Sequence, residues 1–129
     1  MASELYERGL KIRKEVLGEA YVENALKNVN DFNAEFQTYV TEVAWAGVWG
    51  REVLSRKQKS LNNLCMLAAL RLPHEFEIHF RGALNNGCTR DEIRETLMQV
   101  AVYCGAPAAL EAFRVGSKVL AEQDAESKG

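Results

Sequence analysis

The chain has only three cysteines and two histidines among its 129 residues, and these scarcities exclude a good deal. Cys65, Cys88 and Cys104 are odd in number and far apart, and no CxxC occurs. A disulfide framework or a structural zinc site needs paired or clustered ligands, so neither is expected. The two histidines stand in no H-E-x-x-H spacing, which leaves no metal-ligand pattern. Charge of one sign is also missing: 16 Lys and Arg face 18 Asp and Glu, for a net charge of −2. Nucleic-acid binders carry a basic surplus or stripe, so that class is set aside. No apolar run approaches the ~20 residues that span a bilayer. The opening MASELYERGLKIRKEV lacks the apolar centre of a signal peptide. G-x-G-x-x-G, the P-loop and G-x-S-x-G are absent too, which removes the familiar phosphate cradles. A soluble, cytoplasmic domain is the expectation that remains.

What is present is helical periodicity in a chain that is 47% hydrophobic. One domain over residues 1–129 can bury a core at this length without covalent staples. Leu5, Leu10, Ile12, Val16 and Leu17 recur among charges up to a stop at Gly18. From Asp31, residues Phe32, Phe36, Tyr39, Val40, Val43 and Ala44 follow at steps of three and four, as an apolar stripe on a helix does. Ser55 with Gln58, and Thr89 with Glu92, read as capping boxes. Pro73 sits where a first helical residue tolerates proline, and Asn85-Asn86-Gly87 reads as a left-handed stop. Gly105 and Pro107 separate the apolar stretch ending at Cys104 from a last helix, and residues 121–129 read as a polar, frayed tail. The pattern predicts an all-α single compact helical domain of about six helices. Residues 93–104 are apolar nearly all round, which points to burial by a partner subunit and hence to a homo-oligomer.

Few residues offer chemistry. His79 follows Glu75 by four positions, so the two share a helix face. A carboxylate there can orient the imidazole and raise its basicity, as in acid–base catalysis. The same pattern fits a core histidine held by a helical neighbour. Trp45 and Trp49 lie one helical turn apart, just before Arg51. They fit either an apolar pocket with a guanidinium for a small anion or a core tryptophan pair beside a solvated arginine. Arg81 points away from His79, toward a subunit contact. His74 reads as solvated, and Cys104 as a buried, inert thiol.

The blocks H-F-R-G-A-L-N-N-G, T-R-D-E-I and Y-C-G-A-P-A-A, with Y-E-R-G-L-K-I-R-K-E-V-L-G, N-D-F-N-A-E-F-Q and A-W-A-G-V-W-G-R upstream, resemble the carboxymuconolactone decarboxylase family. The likeness runs to about Leu120. It implies an alkyl hydroperoxidase D-like helical fold and assembly as a trimer or a hexamer. Thiol peroxidases of that superfamily need a CxxC, yet Leu72 and Glu75 stand where those cysteines would be, and Ser60 where an upstream glutamate would be. Two sulfurs are indispensable to a thiol–disulfide cycle, so peroxidase chemistry is excluded.

The resemblance implies a carbon–carbon lyase with no cofactor and no metal. Its substrate would be 4-carboxymuconolactone or a similar γ-carboxylated lactone, and its product 3-oxoadipate enol-lactone of aromatic-acid catabolism. Such a substrate is its own electron sink, because charge left by the departing carboxylate delocalises onto the lactone carbonyl. The resemblance makes His79 the acid or the donor to the developing enolate oxygen, oriented by Glu75. Arg51 would hold a substrate carboxylate, with Trp45 and Trp49 as an apolar wall. Many relatives read W-x-R-P-G-L where this chain has Trp49-Gly50-Arg51-Glu52-Val53-Leu54, which bears on loop shape and substrate. Another cofactor-free decarboxylase or isomerase, or a non-catalytic oligomeric small-ligand binder, are the alternatives.

Overall fold

The structure, a computed structural model, describes residues 2–128. Its regular elements among the described residues are all helical: α1 Glu4–Leu17, α2 Glu19–Lys27, α3 Ala34–Tyr39 continuing into a π-helical segment Val40–Trp49, α4 Arg56–Ala69, α5 Pro73–Asn85, α6 Arg90–Cys104 and α7 Ala106–Lys128. No helix is long and apolar enough to cross a membrane. Contacts group the chain into two compact units, residues 1–56 and 57–129.

In the first unit, α1 opens on Ser3, whose side chain accepts from the Tyr6 amide at 2.9 Å, and closes at Gly18 with φ 98°. Gly9, Ile12, Arg13 and Val16 are buried, and this i, i+3, i+4, i+7 stripe faces the π-helical segment. Ile12 and Val16 pack in one apolar cluster with Trp45 and Trp49. Gly9 permits the close approach, because a Cβ there would overlap the Thr41 carbonyl. Arg13 donates to Gln37 Oε1 at 3.1 Å.

One helix stands where the sequence pattern marked none, and one expectation changes. Helix α2 carries one buried residue, Val22, too few to print a stripe on the sequence. The apolar series from Asp31 does not form a core face, since Phe32, Phe36, Tyr39 and Val43 are all exposed, Phe32 at 98%. Residues 31–33 are a turn in which Asn30 Oδ1 accepts from the amides of Phe32 and Asn33, an Asx-type competitor of helix. Beyond Tyr39, i→i+5 bonding widens each turn, so the 3.6-residue period no longer predicts which side is inward. Thr41, Trp45, Ala46 and Trp49 are the buried residues of that segment.

In the second unit, Phe76, Phe80 and Ala83 of α5 form one core with Leu64 and Ala68, Ile93, Leu97 and Val100, and Ala109, Ala112 and Val119 of α7. Each large side chain removed from water contributes about 1.5–3 kcal/mol before ordering costs. Gly116 lies under the Phe80 ring, where a Cβ would stand 2.7 Å from Cε2. Pro73 occupies the first turn of α5, Gly87 takes φ 90°, and Thr89 and Glu92 complete a capping box at 3.0 and 2.8 Å.

Residues 121–128 are helical rather than frayed. Arg81 bonds Glu122, and Arg90 reaches Asp124 at 2.6 Å, so charges in the polar stretch dock it on α5 and α6. Arg81, expected at a subunit contact, is engaged by Glu77 and Glu122 of its own chain. Cys104, expected to be buried, is exposed, whereas Cys88 is buried. The outer side of the last α6 turn accounts for this, with Val102 and Tyr103 exposed by 77% and 81%.

Gly9→Ala should lower stability by about 1–3 kcal/mol, the range for overpacking against structure that cannot yield. Urea denaturation followed by circular dichroism measures this; an unchanged midpoint contradicts the close approach of α1.

Candidate functional site

His79 lies on α5 one turn after buried Phe76, beside Phe80, and is half-buried at the edge of the core. Helix α4 returns antiparallel to α5 through the short 70–72 turn and brings two polar side chains, Ser60 and Asn63, to face it. Asn63 Nδ2 stands 3.2 Å from His79 Nδ1. Asn86 Nδ2 donates to the buried Ser60 hydroxyl at 2.8 Å. These two rungs fix the register of α4 on α5.

In the Nε2–H tautomer, Nδ1 of His79 accepts from this amide. Burial pushes the His79 pKa below its ordinary value of 6.5, because desolvation disfavours the imidazolium. The ring is therefore a neutral imidazole that presents an N–H. Such a group stabilises negative charge developing on an oxygen, and is poorly suited to release a full proton as imidazolium would.

Glu75 is exposed one turn earlier, and Asn63 rather than Glu75 supplies the hydrogen bond to Nδ1. The intrahelical spacing suggested a carboxylate partner; the structure orients the ring from the neighbouring helix. His74 is exposed, as expected.

The remaining predicted residues belong to the first unit. Trp45 and Trp49 stack with ring centroids 5.2 Å apart and planes at 25°. Both are buried, so the pair is core, but Trp49 also forms part of a surface basin of about 390 Å³. Arg8 and Ile12 of α1 and Gly50, Arg51, Glu52, Leu54, Ser55 and Arg56 complete its lining. Arg51 is thus joined by two further guanidinium groups, and Glu52 lines the same basin. Sequence reasoning missed Asn63 and Arg8. The only signal for Asn63 was its place three residues after Ser60 on one α4 face; for Arg8 it was the four-residue step to Ile12.

The sequence profile of the carboxymuconolactone decarboxylase family matches residues 34–118. The chain belongs to the carboxymuconolactone decarboxylase family. Among its relatives, nitrosuccinic acid decarboxylase npaB of Metarhizium robertsii is 47% identical over 116 residues, covering 90% of this chain and 81% of the relative. The 4-carboxymuconolactone decarboxylase of Acinetobacter baylyi is 40% identical over 114 residues, covering 88% and 85%. A carboxymuconolactone decarboxylase family member with such relatives is a decarboxylase, a carbon–carbon lyase that releases carbon dioxide.

The lowered His79 pKa has a sign in stability. The unfolded chain binds this proton more tightly than the folded one, so the neutral ring's contribution is complete above pH 6.5 and is lost as pH falls toward the lower folded value. Urea midpoints should therefore drop between about pH 7 and pH 5, and His79→Gln should flatten that drop. A folded His79→Gln protein with the wild-type slope contradicts a neutral buried ring.

Proposed function

We propose that the protein decarboxylates 4-carboxymuconolactone, or a similar γ-carboxylated unsaturated lactone, to 3-oxoadipate enol-lactone in aromatic-acid catabolism. The observation that carries this reading is the placement of His79 at the edge of the core, with Nδ1 3.2 Å from Asn63 Nδ2 and with burial disfavouring its charged form. As carbon dioxide leaves the γ-carbon, the bonding pair moves through the ring double bond to the lactone carbonyl oxygen. His79 Nε2–H donates to that oxygen, which lowers the barrier without a proton having to leave the imidazole. The α-carbon then takes its proton from water. The substrate accepts the electron pair itself, so the reaction needs no cofactor. Asn63 orients the ring, the role that spacing along α5 gives to Glu75. Arg51, in the basin of the first unit, suits a carboxylate as a forked donor, and Trp49, backed by Trp45, gives that basin an apolar wall.

A second substrate is favoured by the 47% identity to a nitrosuccinic acid decarboxylase. In a nitro diacid, the pair left by carbon dioxide passes to the nitro oxygens, and a neutral N–H donor meets the same demand. Ultraviolet assays of the purified protein with 4-carboxymuconolactone and with nitrosuccinate separate the two. His79→Asn should lower kcat about 100-fold or more, the usual loss of one donor to a developing oxyanion. Arg51→Gln should act chiefly on KM. A folded His79→Asn protein with wild-type kcat on whichever acid is turned over refutes this role.

We also infer that the chain assembles as a homo-oligomer, a trimer or hexamer by family resemblance, a reading that its exposed apolar residues support. Val102, Tyr103 and Leu110 are exposed by 77%, 81% and 61%, beside an apolar depression lined by Ala101, Ala106, Pro107, Ala109, Leu110 and Phe113. Sedimentation should give a multiple of the 14.5 kDa chain mass, reduced by Val102→Glu. A wild-type monomer at micromolar concentration rules assembly out.

A further inference from the structure

We propose that the basin of the first unit is a dicarboxylate subsite in which Arg8 and Arg51 each bind one carboxylate, with Arg8 setting the preference for a diacid over a monoacid. This rests on the reading of the protein as an acid decarboxylase. The two guanidinium groups come from different segments, Arg8 from α1 and Arg51 from the stretch after the π-helical segment, and both line one cavity of about 390 Å³. Ile12 and Trp49, both buried, give that cavity an apolar floor. Arg56 lines it too, but its charge is met by Glu15 at 3.1 Å. Arg8 is exposed and makes no ion pair among the described residues. Glu52 is the single acid of the lining, so the basin keeps a positive surplus. One carboxylate matches one guanidinium in a fork; the second arginine is matched only when the ligand carries a second carboxylate. A monoacid leaves Arg8 without its counterpart, and that difference is the source of discrimination.

Trp49 lines the basin, so tryptophan emission reports its occupancy. Succinate and butyrate, equal in carbon number and differing by one carboxylate, are the probes for titration of the full chain. Wild type should bind succinate about tenfold more tightly than butyrate, the low end for a charge-assisted pair at an exposed site. Arg8→Gln should bring the two acids within about twofold by weakening succinate alone, and Arg8→Lys should restore part of the preference. Thermal melts of each variant confirm folding. Equal affinity of wild type for the two acids, or a folded Arg8→Gln protein that keeps the preference, overturns the proposal. An Arg8-dependent preference in a protein that decarboxylates neither 4-carboxymuconolactone nor nitrosuccinate upholds the subsite while refuting the decarboxylase reading.

Discussion

A half-buried imidazole must satisfy two nitrogens with little help from water, and here an asparagine amide meets the first of them. The contact from Asn63 to His79 joins residues sixteen apart on successive helices, and the Ser60–Asn86 rung holds the same pair of helices in register. A carboxylate in Asn63's place would have drawn the ring toward its charged form. The amide is neutral, so it adds no pull toward the charged ring, and burial disfavours that form. The core around Phe76, Phe80 and Leu64 supplies that burial. Packing and chemistry in this unit therefore share one set of helix contacts.

Features encoded within a single turn were legible in the sequence. Thr89 with Glu92, Pro73 and Gly87 act over three or four residues, and their local stereochemistry is enough to mark helix ends. His79 could be picked out because its spacing from Phe76 and Phe80 puts it at the rim of a stripe. Its orienting partner could not, since choosing Asn63 over Glu75 needs the register between two helices, which no intrahelical spacing contains. The stretch from Asp31 misled for a different reason. Asn30 turns the chain before the helix starts, and i→i+5 bonding then changes the angular step, so apolar residues at 3.6-residue spacing ended up outside. Residues 121–128 misled through composition: a polar stretch is solvated unless opposite charges await it, and Arg81 and Arg90 do. The arginine grouping in the first unit was half visible, because Arg51 stood beside its tryptophans while Arg8 reaches the same basin from another helix.

The segment Val40–Trp49 has an evolutionary consequence. A π-helical turn accommodates a residue that an α-helical turn does not, so this stretch can be regarded as an α-helix with material inserted. Loss of one residue within it would let the backbone relax to ordinary i→i+4 bonding, a locally easier conformation. The extra residue is taken up within the turn, so the backbone on either side would keep its line while the side chains inside the turn are re-aimed. Trp45 and Trp49 both stand in that stretch and pack against Ile12 and Val16 of α1, so the length of this one segment sets how the stacked pair meets α1 without a change in any contact residue.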